Sequence, residues 1–485
     1  MQRVLAIAHV LGGLLMVMAA TYLLPIGWSL AVRDGTTDSF VQASFGTAAL
    51  GLALWAPTRR RRRELQARDG CLLVVLGWMA MAGAAMLPFL LELPGLSVTD
   101  AFFESMSALT TTGATVLSGL ETLPQSLNLW RHALQWFGGM GIIVLAIAIL
   151  PLLGVGGMQL FKAEMPGPMK ETKLTPRITQ TAKGLWLIYV ALTLACLLAL
   201  RAAGMSWFDA ICHAFSALSL GGFSTRDDSI AGFASPAIEW VLIVFMMIAV
   251  INFTTHFVAL RARSFEAYAR DAEARWVWLA IVGAVAVITA FLWWSGTYPD
   301  PYDAMRVAIF KTVSMATSSG YTSADYEQWP PFAGMTLLLL GGLCSSSGST
   351  GGGIKMARTL VLFKQASREL LRMTHPRAVR PLLLNGHRIG DNVVLAVLGF
   401  MLLYGATLIG VTMVLLATGL DPTSAFGGAF SCLNNIGPAL GVLGPSQNYA
   451  ALTDFQTWVC TFAMLAGRLE LLTVFALLTP GFWRR

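Results

Sequence analysis

Charge is scarce in this chain. Asp, Glu, Lys and Arg make up 12% of its 485 residues, hydrophobic residues 56%, and mean hydropathy is +0.65. So apolar a composition excludes a water-soluble protein of this length. Cysteine is sparse too. The six (71, 196, 212, 344, 432 and 460) are scattered through apolar segments without CxxC spacing. That pattern predicts neither a disulfide framework nor a zinc site. The six histidines are dispersed, and His132 and His213, near glycine loops, are read as structural. No HExxH, Ser/His/Asp set or pair of deep carboxylates is present, so an enzyme is not expected. The glycine-rich stretch 348–355 fails as a phosphate loop, because Ile354 separates Gly353 from Lys355 and Met356 follows.

Long apolar runs are plentiful. Those at 4–24, 40–57, 71–91, 133–153, 185–200, 238–260, 277–294, 393–418 and 457–478 approach or exceed the roughly 20 residues a membrane helix needs. A tenth begins near Phe332, breaks at 341–353 and resumes at Ile354. The first run lacks a clear cleavage site and is followed by another span, so it reads as a helix rather than a signal peptide. Five consecutive arginines at 59–63 set the side after the second span as cytoplasmic. Alternating from there puts both termini inside. Most basic residues then fall on the cytoplasmic side and most acidic ones near the outer face, where negative potential concentrates cations.

Four segments share one pattern, a serine six residues before a glycine. They are Ser107-Ala-Leu-Thr-Thr-Thr-Gly113, Ser216-Ala-Leu-Ser-Leu-Gly-Gly222, Ser314-Met-Ala-Thr-Ser-Ser-Gly320 and Ser431-Cys-Leu-Asn-Asn-Ile-Gly437. Each follows a stretch too short to cross a bilayer (100–109, 207–218, 302–316, 421–433), which suits a half-helix dipping in from outside. Such a half-helix aims the negative end of its dipole at the centre. Glycine permits the dihedrals that point successive carbonyls at an axis. The residues before the glycines are Thr111-Thr112, Leu220-Gly221, Ser318-Ser319 and Asn435-Ile436. Their side chains differ, which main-chain selectivity tolerates, and no ring of four acids occurs. Close packing of membrane helices also uses glycine, but it does not account for four glycines with one serine offset.

The segment 341–353 contains six glycines and five Ser or Thr residues. It cannot be a regular helix in lipid and must be enclosed by protein or pore water. Just inside a cation filter formed by the four glycine loops, it would act as a movable plug. Arg468 and Glu470 lie in the last apolar run, where charge is costly and faces the protein interior or a water-filled cavity. Residues i and i+2 diverge on a helix. Arg468 is therefore expected either to face the pore and the gate loop or to pair with another helix. Glu470 is the one obvious acid for a proton-coupled carrier.

These motifs resemble the Trk/Ktr/HKT superfamily of potassium transporters, the TrkH type in particular. The resemblance rests on Thr-Thr-Thr-Gly-Ala-Thr (110–115), Gly-Gly-Phe-Ser-Thr (221–225), Gly-Ser-Thr-Gly-Gly-Gly-Ile-Lys (348–355), Asn-Ile-Gly-Pro (435–438), Gly-Arg-Leu-Glu (467–470) and Lys173-Leu-Thr-Pro-Arg177. It covers nearly the whole chain. It implies an all-α integral membrane protein with four M1–pore-loop–M2 repeats in pseudo-fourfold arrangement. The expected units are an N-terminal hairpin (1–66) and repeats at 67–160, 161–264, 265–380 and 381–485. Filter residues would be Thr111, Thr112, Gly113, Leu220, Gly221, Gly222, Ser318, Ser319, Gly320, Asn435, Ile436 and Gly437. Gly348, Gly351, Gly352, Gly353, Lys355 and Arg468 would form the gate. Glycine at position 113 goes with potassium selectivity, while Leu220-Gly221 lacks the Thr or Ser of repeats one and three. The resemblance further implies a homodimer in the bacterial inner membrane and a cytosolic TrkA-type regulator that carries the nucleotide. This chain itself would hold no cofactor, only potassium as its cargo, and would bind no nucleic acid. The basic loops 162–183, 261–275 and 364–388 are candidate docking surfaces. Alternatives are a secondary transporter of a small solute, which usually has inverted repeats, and an ion-coupled cation symporter.

Overall fold

The computed structural model describes residues 2–59, 67–144 and 175–484. Arg60 to Arg63, most of the 162–183 loop and the start of the Lys173 motif lie outside the described residues. Among the described residues every element is a helix, apart from a hairpin of two-residue strands that pairs Leu383–Leu384 with His387–Arg388.

Gln2–Thr21 and Leu23–Val32 form one apolar span, Val4–Val32, longer than the 4–24 run. Thr37–Trp55 returns against it. The two backbones approach at glycine: a Cβ on Gly12 would stand 2.6 Å from the Gly51 carbonyl oxygen. Small residues at such crossings allow dispersion contacts between main chains where lipid supplies no hydrophobic drive.

One order of elements then recurs four times: a long helix, a half-helix, a glycine loop and a return helix. The half-helices are Val98–Leu109, Trp207–Ser219, Pro301–Ala316 and Pro422–Asn434, within two residues of the expected bounds at either end. Side chains cap each start. Ser97 and Ser206 accept from the amides of Asp100 and Asp209, Asp300 from Tyr302, and Asp421 from Thr423 and Ser424. These caps satisfy amides that a helix start leaves bare. Hydrogen bonds from Ser424 hold the Asp421 carboxyl below the usual carboxylate range. Its cap therefore persists at neutral pH and is lost as pH falls through that lowered value.

Each return helix packs on its own half-helix and on the next one. Gln125–Val144 lies against Trp207–Ser219, Pro236–Ala249 against Pro301–Ala316, and Pro331–Leu343 against Pro422–Asn434. Asp454–Arg468 closes the circuit on Val98–Leu109. The half-helices are buried in this circuit, while apolar residues of the long helices, such as Leu198, Val282 and Leu402, face outward. The chain is inside-out relative to a soluble protein and is embedded in the membrane.

Among the described residues five helices are long and apolar enough to cross a bilayer, seven if two bent pairs each count as one. This corrects two of the uninterrupted runs. The 238–260 run bends by 90° between Pro236–Ala249 and Phe253–Ala262, and the 457–478 run by 115° between Asp454–Arg468 and Leu471–Leu478. Hydropathy averaged over a span does not register such bends, because a single polar residue at each break, Asn252 or Glu470, is outweighed by its apolar neighbours. Gln125–Val144 is long enough but less apolar, because Asn128, Arg131, His132 and Gln135 dilute it.

Replacing Gly51 with Val would force the N-terminal hairpin apart. Overpacking of this kind costs about 1–3 kcal/mol. A lowered thermal midpoint in detergent is expected, and an unchanged midpoint would contradict the close approach.

Candidate functional site

The four loops after the half-helices have one backbone pattern. The residue two before each glycine is left-handed: Thr111 (φ 52°), Leu220 (φ 55°), Ser318 (φ 59°) and Asn435 (φ 54°). The glycines are left-handed as well, Gly113 at 82°, Gly222 at 73°, Gly320 at 77° and Gly437 at 95°. Glycine takes this conformation without penalty; other residues need support from their surroundings.

The shared serine supplies that support. Its carbonyl accepts from the amide just before the glycine: Thr112 to Ser107 at 2.9 Å, Gly221 to Ser216 at 2.9 Å, Ser319 to Ser314 at 2.9 Å and Ile436 to Ser431 at 3.0 Å. Three of the serine hydroxyls also tie down the far side of their own loop. Ser107 donates to the Ala114 carbonyl (2.6 Å), Ser314 to Tyr321 (2.8 Å) and Ser431 to Gly437 (2.8 Å). Ser216 makes no such bond to its own loop.

The loops meet in a circuit. A Cβ on Gly113 would collide with the Gly221 carbonyl oxygen, one on Gly222 with that of Ser319, and one on Gly320 with that of Ile436. A Cβ on Gly437 would lie 2.7 Å from the Thr112 carbonyl oxygen. Gly113, Gly222, Gly320 and Gly437 all line one cavity of about 80 Å³ on the side of the connecting loops. The Asn435 amide crosses from the fourth loop to the first, donating to the Thr112 hydroxyl (2.9 Å) and to the Met464 carbonyl (3.0 Å).

Several residues around the loops escaped the sequence reading. Glu104 and Arg131 form a fully buried ion pair at 2.8 Å. Glu104 also accepts from Val116 N and the Thr115 hydroxyl. Arg131 lies over the Phe223 ring, 4.3 Å from its centroid, so the pair braces the first and second loops together. Buried Lys311 braces the third loop through the Tyr321 carbonyl (3.4 Å) and the Thr322 hydroxyl (3.2 Å). Charges in short apolar helices were the available signal, since they persist only where partners exist. His132 and His213 are buried and hydrogen-bonded to Asn128 and Asp209 carbonyls. Among the described residues no cluster of His, Cys, Asp and Glu has metal-site geometry.

The glycine-rich segment lies at the buried ends of the half-helices. Helix Pro331–Leu343 includes Gly341 and Gly342, and Met356–Thr374 begins after Lys355. The non-helical part is thus 344–355, shorter at its start and longer at its end than the expected 341–353. Gly341 and Gly342 are helical and leave no room for a side chain, because a Cβ on either would collide with Ile436 or Phe430. The Gly352 amide donates to the Ser318 hydroxyl (2.8 Å), and the Thr350 hydroxyl to the Leu218 carbonyl (3.0 Å). A Cβ on Gly352 would strike the Asn434 carbonyl. The segment therefore touches the ends of three half-helices. Lys355 holds it in shape through the Gly351 carbonyl at 2.8 Å. Gly348 and Ser346 bond to Phe253 and Val250 at the bend in the second return helix. Gly353, left-handed at 84°, packs on the Gly342 carbonyl.

Arg468 lies one turn beyond Met464, about 6 Å further along the helix, and Lys355 is within its electrostatic reach. It is buried, and its Nε and Nη2 have no hydrogen-bond partner among the described residues. Glu470 is not free. Left-handed at the second bend (φ 61°), it pairs with Arg358 at 2.7 Å.

Comparison with known proteins gives one consistent result. The family model of TrkH, described as a cation transport protein, matches residues 36–480. The Trk system potassium uptake protein TrkH of Salmonella typhimurium is 46% identical over 480 residues, covering 99% of each chain. Trk system potassium uptake protein TrkG of Escherichia coli is 35% identical over 483 residues, again covering 99% of each chain. The crystal structure of the potassium transporter TrkH from Vibrio parahaemolyticus superposes with a TM-score of 0.92 at 44% identity, covering 99% of both chains.

Arg131→Met leaves Glu104 buried and unpaired, which costs about 3–5 kcal/mol. A large drop in thermal midpoint is expected, and the double variant Glu104→Leu with Arg131→Met should recover much of it. Equal loss in single and double variants would show that the pair is not the brace.

Proposed function

The chain belongs to the TrkH family of cation transport proteins, and from that membership we propose that it takes up potassium through a backbone-carbonyl filter. The four loops form a pseudo-fourfold ring around one axis, and their carbonyls replace the hydration shell of the ion. The four half-helices direct the negative ends of their dipoles at the same point. The observation that carries this reading is the closed circuit in which each loop glycine meets a carbonyl of the next loop. A ring of main-chain oxygens on one polypeptide suits a dehydrated alkali ion and gives an organic solute no pocket.

Segment 344–355 is the gate. Its contacts with Leu218, Ser318 and Asn434 support a plug directly beneath the filter. Gly348, Gly351, Gly352 and Gly353 let it fold there without side chains, and Lys355 pins it. Arg468 places a positive charge below the ring, where it raises the barrier to a passing cation. The candidate acid of the ion-coupled alternative, Glu470, is engaged by Arg358, which supports the uncoupled reading.

The protein works as a homodimer in the bacterial inner membrane with both termini in the cytoplasm. A cytosolic TrkA-type subunit supplies the regulatory nucleotide. Arg372, Arg377, Arg380 and Arg388, on and after the Met356–Thr374 helix, are the docking charges; Arg372 pairs with Glu369 at 3.0 Å but stays exposed, whereas Arg368 is buried against Asp391 at 3.0 Å.

In liposomes the purified protein should carry rubidium, and Arg468→Ala should raise that flux severalfold. Unaltered flux in the variant would reject the role of Arg468, and no rubidium uptake by the unmodified protein would reject the pore. Replacing the four docking arginines by Gln should abolish co-purification with the regulator, and retained co-purification would remove that surface from the account.

A further inference from the structure

The second loop is the one whose side chains give it least support. Leu220-Gly221 carries no hydroxyl, and Ser216 does not tie the loop down. Its neighbours hold themselves differently: the Thr112 hydroxyl is bonded by Thr110 at 2.7 Å and by Asn435, and Ser319 by Thr317 at 3.3 Å. In the second loop a side chain from another repeat takes this part. Gln135, fully buried on the Gln125–Val144 return helix, donates from Nε2 to the Gly221 carbonyl at 2.7 Å. Its Oε1 accepts from the Phe223 amide at 3.3 Å. The two bonds fix the amide orientation, since the reversed amide would set an oxygen against a carbonyl and a nitrogen against an N–H. Gly221 itself is dictated by this contact, because a Cβ there would collide with the Gln135 amide.

We infer that Gln135 is a specificity-determining positioning residue, a clamp from the first repeat that fixes the second repeat's carbonyl in the filter ring. This rests on the filter reading above. A carbonyl oxygen has two lone pairs. The amide takes one and leaves the other for the ion, while bonds on both sides of Gly222 prevent the carbonyl from following a smaller cation inward. Discrimination between potassium and sodium depends on the number and field strength of the coordinating carbonyls. A ring with three braced members and one loose one discriminates less.

The test is Gln135→Met, which keeps side-chain length and loses both bonds. With the variant in liposomes, the ratio of potassium to sodium flux should fall about fivefold, the size expected for losing the one bond made to the Gly221 carbonyl itself, while rubidium flux persists. A change in this ratio is not the signature of a residue that only aids folding. An unchanged ratio overturns the inference. Failure of the unmodified protein to carry rubidium is a separate result that removes the filter reading itself. Should Gln135→Met not fold, Gln135→Asn serves, because its shorter amide cannot span both bonds. A lowered ratio there supports the clamp and an unaltered ratio overturns it.

Discussion

Main chain that leaves the helix at membrane depth has no water to satisfy it, and this constraint governs the structure. The four glycine loops meet it jointly. Each buries its backbone against the next, and each requires glycine because the neighbouring carbonyl occupies the space of a side chain. No loop could keep its left-handed backbone alone. The half-helices, their caps and the packing of each return helix on the next half-helix all serve to bring these ends together.

The same constraint explains the layer beneath. Three return helices break there: around Val250 and Asn252, over 344–355, and at Leu469 and Glu470. The breaks satisfy one another. Phe253 donates to Gly348 and Ser346 to Val250, while Arg358, just after the glycine-rich segment, pairs with Glu470. The Glu273 carboxylate takes the amides of Ser347 and Ala357. Between Cys344 and Ile354, which pack in apolar clusters, the segment is held by hydrogen bonds, and such bonds can be exchanged for water. The proposed gate requires that property.

Much of this was legible in the sequence because it is local. Spans show in hydropathy, half-helices as stretches too short to cross a bilayer, and the loops in a serine and a glycine at fixed offset. The offset has a direct cause, because the serine carbonyl binds the amide before the glycine. What was hidden depends on contacts distant in sequence. Gln135 and Gly221, Glu104 and Arg131, and Arg358 and Glu470 are pairs that no spacing rule connects. The bends at 250–252 and 469–470 were hidden for another reason: the apolar residues around Asn252 and Glu470 keep the averaged hydropathy high while the helix turns.

The central claim is that carbonyls from all four loops coordinate one dehydrated alkali ion. Anomalous scattering from crystals soaked in rubidium tests it most directly. The account predicts a peak on the axis between Gly113, Gly222, Gly320 and Gly437, displaced by potassium and not by an equal concentration of sodium. Intact, well-ordered loops with no peak between them would contradict it.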